Sequence, residues 1–102
     1  MAREKWIPVR PKNYRSIALH AISIASQPVV LMDRSSVGDF SEHGPLTQSG
    51  IRRCTDFEIR NGGEPILGFH DHPDEMWVTV SYASVAHYCA ERGWLRIQSN
   101  AS

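Results

Sequence analysis

Only two cysteines, Cys54 and Cys89, occur in the 102 residues, and no C-x-x-C or zinc-finger spacing relates them. That excludes a disulfide framework and a cysteine-held zinc site. Cys89 falls on the apolar side of a helical pattern, where a free thiol behaves as a small hydrophobe. Apolar runs are only a few residues long, whereas a spanning helix needs about 20, so no membrane segment is expected. The opening Met-Ala-Arg-Glu-Lys-Trp has no apolar core of a leader, and a reducing, cytoplasmic setting is expected. G-x-x-x-x-G-K-[ST], G-x-G-x-x-G and H-E-x-x-H are all missing, which leaves nucleotide binding without a motif; no cofactor is expected. Net charge is missing too: eleven basic residues balance eleven acidic ones. A neutral chain has no general attraction for nucleic acid.

The balance hides an asymmetry. Residues 1–15 carry Arg3, Lys5, Arg10, Lys12 and Arg15 against Glu4 alone, while residues 56–91 carry seven acids against Arg60. Residues 1–12 therefore read as a basic N-terminal arm or edge strand. The two ends are expected to attract each other within the fold or across a subunit contact.

A hydrophobic share of 41% is enough for a core, and one domain is expected over residues 1–102. Trp6-Ile7-Pro8-Val9 reads as a short edge strand, because Pro8 cannot donate to a ladder. Asn13 stands where a helix N-cap belongs. Tyr14, Ile17, Ala18, Ala21, Ile22, Ile24 and Ala25 then recur at helical spacing, which predicts a helix over 14–26, with Pro28 as its stop. Val29–Met32 reads as a buried strand. Residues 34–50 have no period, and a long loop is expected there. Cys54–Arg60 alternates, Asn61-Gly62-Gly63 signals a turn, and Pro65–Phe69 returns as the second strand of a hairpin. Met76–Val80 is strand-like in composition although Pro73-Asp74-Glu75 resembles the first turn of a helix; a strand is preferred. Tyr82, Val85, Ala86 and Cys89 form an apolar stripe that predicts a second helix over 81–92, closed by Gly93. Trp94–Ile97 reads as a last strand. The order β-α-β-β-β-(β)-α-β predicts an α+β two-layer sandwich with a mainly antiparallel sheet.

The chemistry concentrates in Phe69-His70-Asp71-His72-Pro73-Asp74-Glu75-Met76, which holds two of five histidines. On a strand, His70 and His72 share a face and form a candidate metal pair. A catalytic zinc needs a third protein ligand, with Glu75, His87, Glu42 and His43 as candidates. Against this stands a polar turn, with Asp71 or Asp74 satisfying backbone N–H groups. Aromatics crowd the C-terminal third. Core packing accounts for most, but Tyr88 lies on the polar helix face beside His87, as an interface aromatic would. Acidic groups near aromatics also suit a small organic cation.

The expected site is therefore a ligand-binding set of His70, His72, Glu75, Trp77, Tyr88 and His87. The expected function is that of a small, non-catalytic binding module, assembled as a homodimer or bound to another protein. The alternative is a metal-dependent hydrolase built on His70 and His72.

Overall fold

A computed structural model describes residues 6–71 and 74–95. Among the described residues six strands form one antiparallel sheet: β1 (Trp6–Val9), β2 (Pro28–Met32), β3 (Ser35–Val37), β4 (Asp56–Asn61), β5 (Glu64–His70) and β6 (Met76–Thr79). Their order across the sheet is β1-β6-β5-β4-β2-β3. Three helices accompany them: α1 (Tyr14–Ile24), α2 (Gln48–Arg52) and α3 (Ala83–Glu91), the last entered through a 3₁₀ turn at Val80–Tyr82. The fold is α+β, as the element pattern predicts.

The hairpin β4–β5 folds where the alternation places it. Asn61 pairs with Glu64 across Gly62-Gly63, and Gly62 takes φ +62, a value costly to any residue with a Cβ. Cross-strand neighbours share a face, so the register sorts the whole sheet. Ile7, Val78, Leu67, Ile59, Val30 and Val37 form one continuous row, and Met32, Phe57 and Phe69 extend the same face. Val9, Val30, Phe57, Ile59, Leu67, Phe69, Met76 and Val78 on this face are completely buried. Each such side chain contributes roughly 1.5–3 kcal/mol relative to exposure. At a bulge between Ile59 and Arg60, Ile66 is buried as well as Leu67.

Both long helices cover that apolar face. α1 buries Tyr14, Ile17, Ala18 and Ala21, and α3 buries Val85, Ala86 and Cys89. α1 contacts β2, β4 and α3, whereas α3 contacts β1 and β6. Asn13 caps α1 through its side-chain oxygen, which accepts from the Ser16 N–H at 2.9 Å. α1 stops at Ile24, before the expected 26. The backbone groups beyond it are engaged with the hairpin turn: Gln27 N–H donates to the Asn61 side chain at 2.9 Å, and the Gln27 carbonyl accepts from Gly62 at 2.8 Å. The second helix likewise starts at Ala83, because residues 80–82 wind more tightly.

The stretch 34–50, expected as a loop, departs most from expectation. β2 turns directly into β3 through Asp33 and Arg34, both left-handed at φ 51 and 70. Two positive φ values in a two-residue connection suit the right-handed twist of a hairpin. Further on, Thr47 caps α2 by accepting from Gly50 N–H at 3.0 Å. Between these elements, the Arg15 guanidinium donates to the carbonyls of Leu46 at 2.6 Å and Phe40 at 3.2 Å. Of the expected last strand, Leu95 forms a single bridge to Val9; residues 96 and 97 lie outside the described residues. No helix among the described residues is long and apolar enough to cross a membrane.

Candidate functional site

The second face of the sheet carries different chemistry. By register it presents Trp6 and Pro8 from β1, Trp77 from β6, Gly68 and His70 from β5, Asp56, Glu58 and Arg60 from β4, and Leu31 from β2. None of these is fully buried except Gly68, which Trp77 covers. A Cβ on Gly68 would meet Trp77 Cζ2 at 2.9 Å and press on the Phe57 carbonyl oxygen, so the missing side chain is what lets the indole lie across β5. Trp6 meets Trp77 edge-on, with ring centroids 3.7 Å apart.

Beyond the indole lie two charge pairs. Arg60 Nε donates to Glu58 Oε2 at 2.9 Å, and Nη2 to Oε1 at 3.4 Å. The two residues are next-but-one along β4, so they share its outer face. His70 Nδ1 lies 2.7 Å from Asp56 Oδ1, its cross-strand neighbour. Arg34 Nε is 3.6 Å from Asp56 Oδ2. The His70 hydrogen bond, with the nearby positive groups, holds the Asp56 carboxyl below the usual carboxylate range. Leu31, Arg34, Asp56, Phe57, Glu58, Arg60 and His70 line a groove of about 240 Å³.

Asp56 is braced from behind. Asp33 Oδ1 accepts from the N–H groups of Thr55 at 2.7 Å and Asp56 at 3.0 Å, and Asp33 N–H donates to the Asp56 carbonyl at 2.8 Å. Asp71, also left-handed at φ 70, donates its N–H to the Thr55 carbonyl at 2.6 Å. The three left-handed residues other than glycine among the described residues thus converge on Thr55 and Asp56. Such conformations cost about 1–3 kcal/mol each and persist where the surroundings fix them.

The residues singled out in the sequence separate in space. His70 and Trp77 share the helix-free face, with ring centroids 6.3 Å apart. Glu75 is exposed just before β6, and His87 is exposed on α3. Tyr88 is on α3 too, in the helix layer. His20 stacks on its ring at a centroid distance of 4.4 Å, and the Arg92 guanidinium lies 3.5 Å from the same centroid. Two groups so close to one centroid must occupy its two faces, so Tyr88 is covered within its own chain. His72 lies outside the described residues. Among the described residues no three His, Cys, Asp or Glu side chains are grouped to hold a metal ion. Of the five basic residues at the start, Arg15 satisfies backbone carbonyls, not acids.

Sequence reasoning missed Trp6, Asp56, Glu58, Arg60, Arg34 and Leu31 as members of this face. The alternation of Asp56, Glu58 and Arg60 already marked one polar side of β4. What it could not show is that no helix among the described residues covers that side. The chain matches no family model, no curated protein and no solved structure.

Proposed function

We propose that this protein is a non-catalytic binding module whose partner, another protein, docks on the helix-free face of the sheet. One observation carries the reading: a sheet face over which no described helix lies holds both the Trp6–Trp77 pair and a groove lined by the Glu58–Arg60 and Asp56–His70 pairs. Aromatic and arginine side chains dominate interface energetics. A broad sheet face with charges already paired suits a protein surface better than a small ion. Both carboxylates in the groove have internal partners, which removes the anchor that a small organic cation would need. The basic groups are similarly engaged, which disfavours a phosphate.

The test uses immobilised wild-type protein against Trp77→Ala, Arg60→Glu and, as a control in the helix layer, His87→Ala. A protein retained by the wild type and His87→Ala, and lost by the two face variants, supports the reading. Identical capture by all four baits defeats it. A second copy of the chain is one such partner. Light scattering that gives 11.5 kDa at every concentration removes the homodimer.

Metal-dependent hydrolysis at His70 and His72 remains the rival reading. What favours it is the Asp56–His70 contact, since a carboxylate behind an imidazole orients it for proton transfer. No three described residues are grouped to hold a metal ion. Metal analysis of purified protein decides it, with the double variant His70→Ala/His72→Ala as the control.

A further inference from the structure

Among the described residues, His70 is the imidazole on the helix-free face, and its contact with Asp56 distinguishes its two nitrogens. Nδ1 faces a carboxylate at 2.7 Å. Asp56 is acceptor-only when ionised, so the proton of a neutral imidazole belongs on Nδ1 and the lone pair on Nε2. Asp56 is not free to drift, because Asp33 and Asp71 hold its segment by four backbone N–H bonds. The imidazole side chain is 61% exposed, and no hydrogen bond among the described residues reaches Nε2. The Trp77 indole lies 6.3 Å from the imidazole, centroid to centroid, and the imidazole lines the groove together with Leu31. Free acceptor, apolar wall and groove therefore occur together.

We propose that His70 Nε2 is the hydrogen-bond acceptor of this face, and that the partner group it takes is a hydroxyl on an apolar body: an aromatic hydroxyl, as on a tyrosine side chain. This rests on the docking face proposed above and names the group that face receives. A cation is a poor fit because Asp56 already serves His70 and Arg34, and Glu58 serves Arg60. A bare carbonyl finds no donor at Nε2. A phenol satisfies both requirements: its ring packs on Trp77 or Leu31, and its O–H donates to Nε2.

The experiment uses the intact protein with ¹⁵N-labelled histidine rings, observed by NMR at an alkaline pH where the spectrum itself shows the His70 ring neutral. The expected spectrum shows His70 protonated on Nδ1 and bare on Nε2. Phenol, added as the probe, shifts the Nε2 resonance saturably, whereas anisole, which lacks the O–H, does not. Asp56→Ala returns the ring to an averaged tautomer and abolishes the response to phenol. The wild-type spectra alone are decisive should that variant fold poorly. A wild-type proton on Nε2, no response to phenol, or an equal response to anisole each overturns the proposal. Those failures leave the docking face standing if Trp77→Ala and Arg60→Glu still lose the captured protein. Unchanged capture by those variants defeats the docking face, whatever the spectra show.

Discussion

Asp33 does more for this fold than its exposed position suggests. It adopts a left-handed conformation at the β2–β3 turn while its carboxylate and N–H bind the start of β4. Asp33→Ala removes the acceptor for two N–H groups and places a Cβ residue without a local hydrogen bond at φ 51. We expect a loss of about 1–2 kcal/mol from two exposed hydrogen bonds to a charged acceptor and the strained backbone, read as a lower denaturant midpoint. Asp33→Gly, which keeps the left-handed conformation accessible, loses less. His20 predicts the opposite sign. Its Nε2 is buried with no hydrogen-bond partner, while its ring stacks on Tyr88. His20→Phe keeps the stack and removes the orphaned polar atom. Stability is expected to hold or rise by about 1 kcal/mol, whereas His20→Ala falls; denaturant melts of the two variants check this. Neither residue was legible in the sequence. His20 sits on the polar side of a helical pattern, and Asp-Arg is not a hairpin dipeptide, because nothing local shows that a distant strand will supply its partners.

At the scale of elements, β5 has the most constrained job. Four consecutive residues, Ile66 to Phe69, are buried, yet the strand faces helices on one side only. Gly68 resolves this, since the Trp77 indole covers it. Gly68→Ala drives a Cβ against the Phe57 carbonyl and the indole. It is expected to cost about 1–3 kcal/mol through overpacking and to shift tryptophan fluorescence, as Trp77 leaves its seat beside Trp6. Unchanged emission and midpoint would contradict that packing. The hairpin itself was legible, because alternation and an Asn-Gly-Gly turn are short-range signals. β3 and α2 were not: three strand residues and five helical ones are too few to show a period, and tertiary hydrogen bonds from Arg15 and Asp33 do the specifying. The candidate site was half legible. His70 and Trp77 came from the sequence, whereas Asp56 became a site residue only through the register that sets it against His70.

For the whole molecule, the depressed carboxyl of Asp56 makes stability depend on pH. A carboxylate whose folded pKa lies below its unfolded value stabilises the fold above that unfolded value, about 3.9. The contribution is lost as pH falls through the lower, folded pKa. Hydrogen bonding from His70 is the largest cause. His70→Gln should therefore flatten the acid limb of the stability–pH curve below about pH 4, with little change in its shape near neutrality. Urea midpoints collected from pH 2 to 7 give the comparison, and parallel curves for the two proteins would remove His70 as the cause. The thiols respond differently. Burial pushes Cys54 and Cys89 up to about 11. Both should resist thiol reagents at pH 8 in the native protein and react fully in denaturant.

The sheet order has a consequence for how the chain is made. β1 is synthesised first, but its partner is β6, with Trp6 opposite Thr79, and Val9 is bridged to Leu95. Every other neighbouring pair in the sheet closes over a shorter stretch of chain. Loop closure over such a span is slow. During translation β1 must therefore wait, unpaired, until β6 and Leu95 have followed it out of the ribosome. Trp6 thus finds its place beside Trp77 late, once β6 is available to pair with β1.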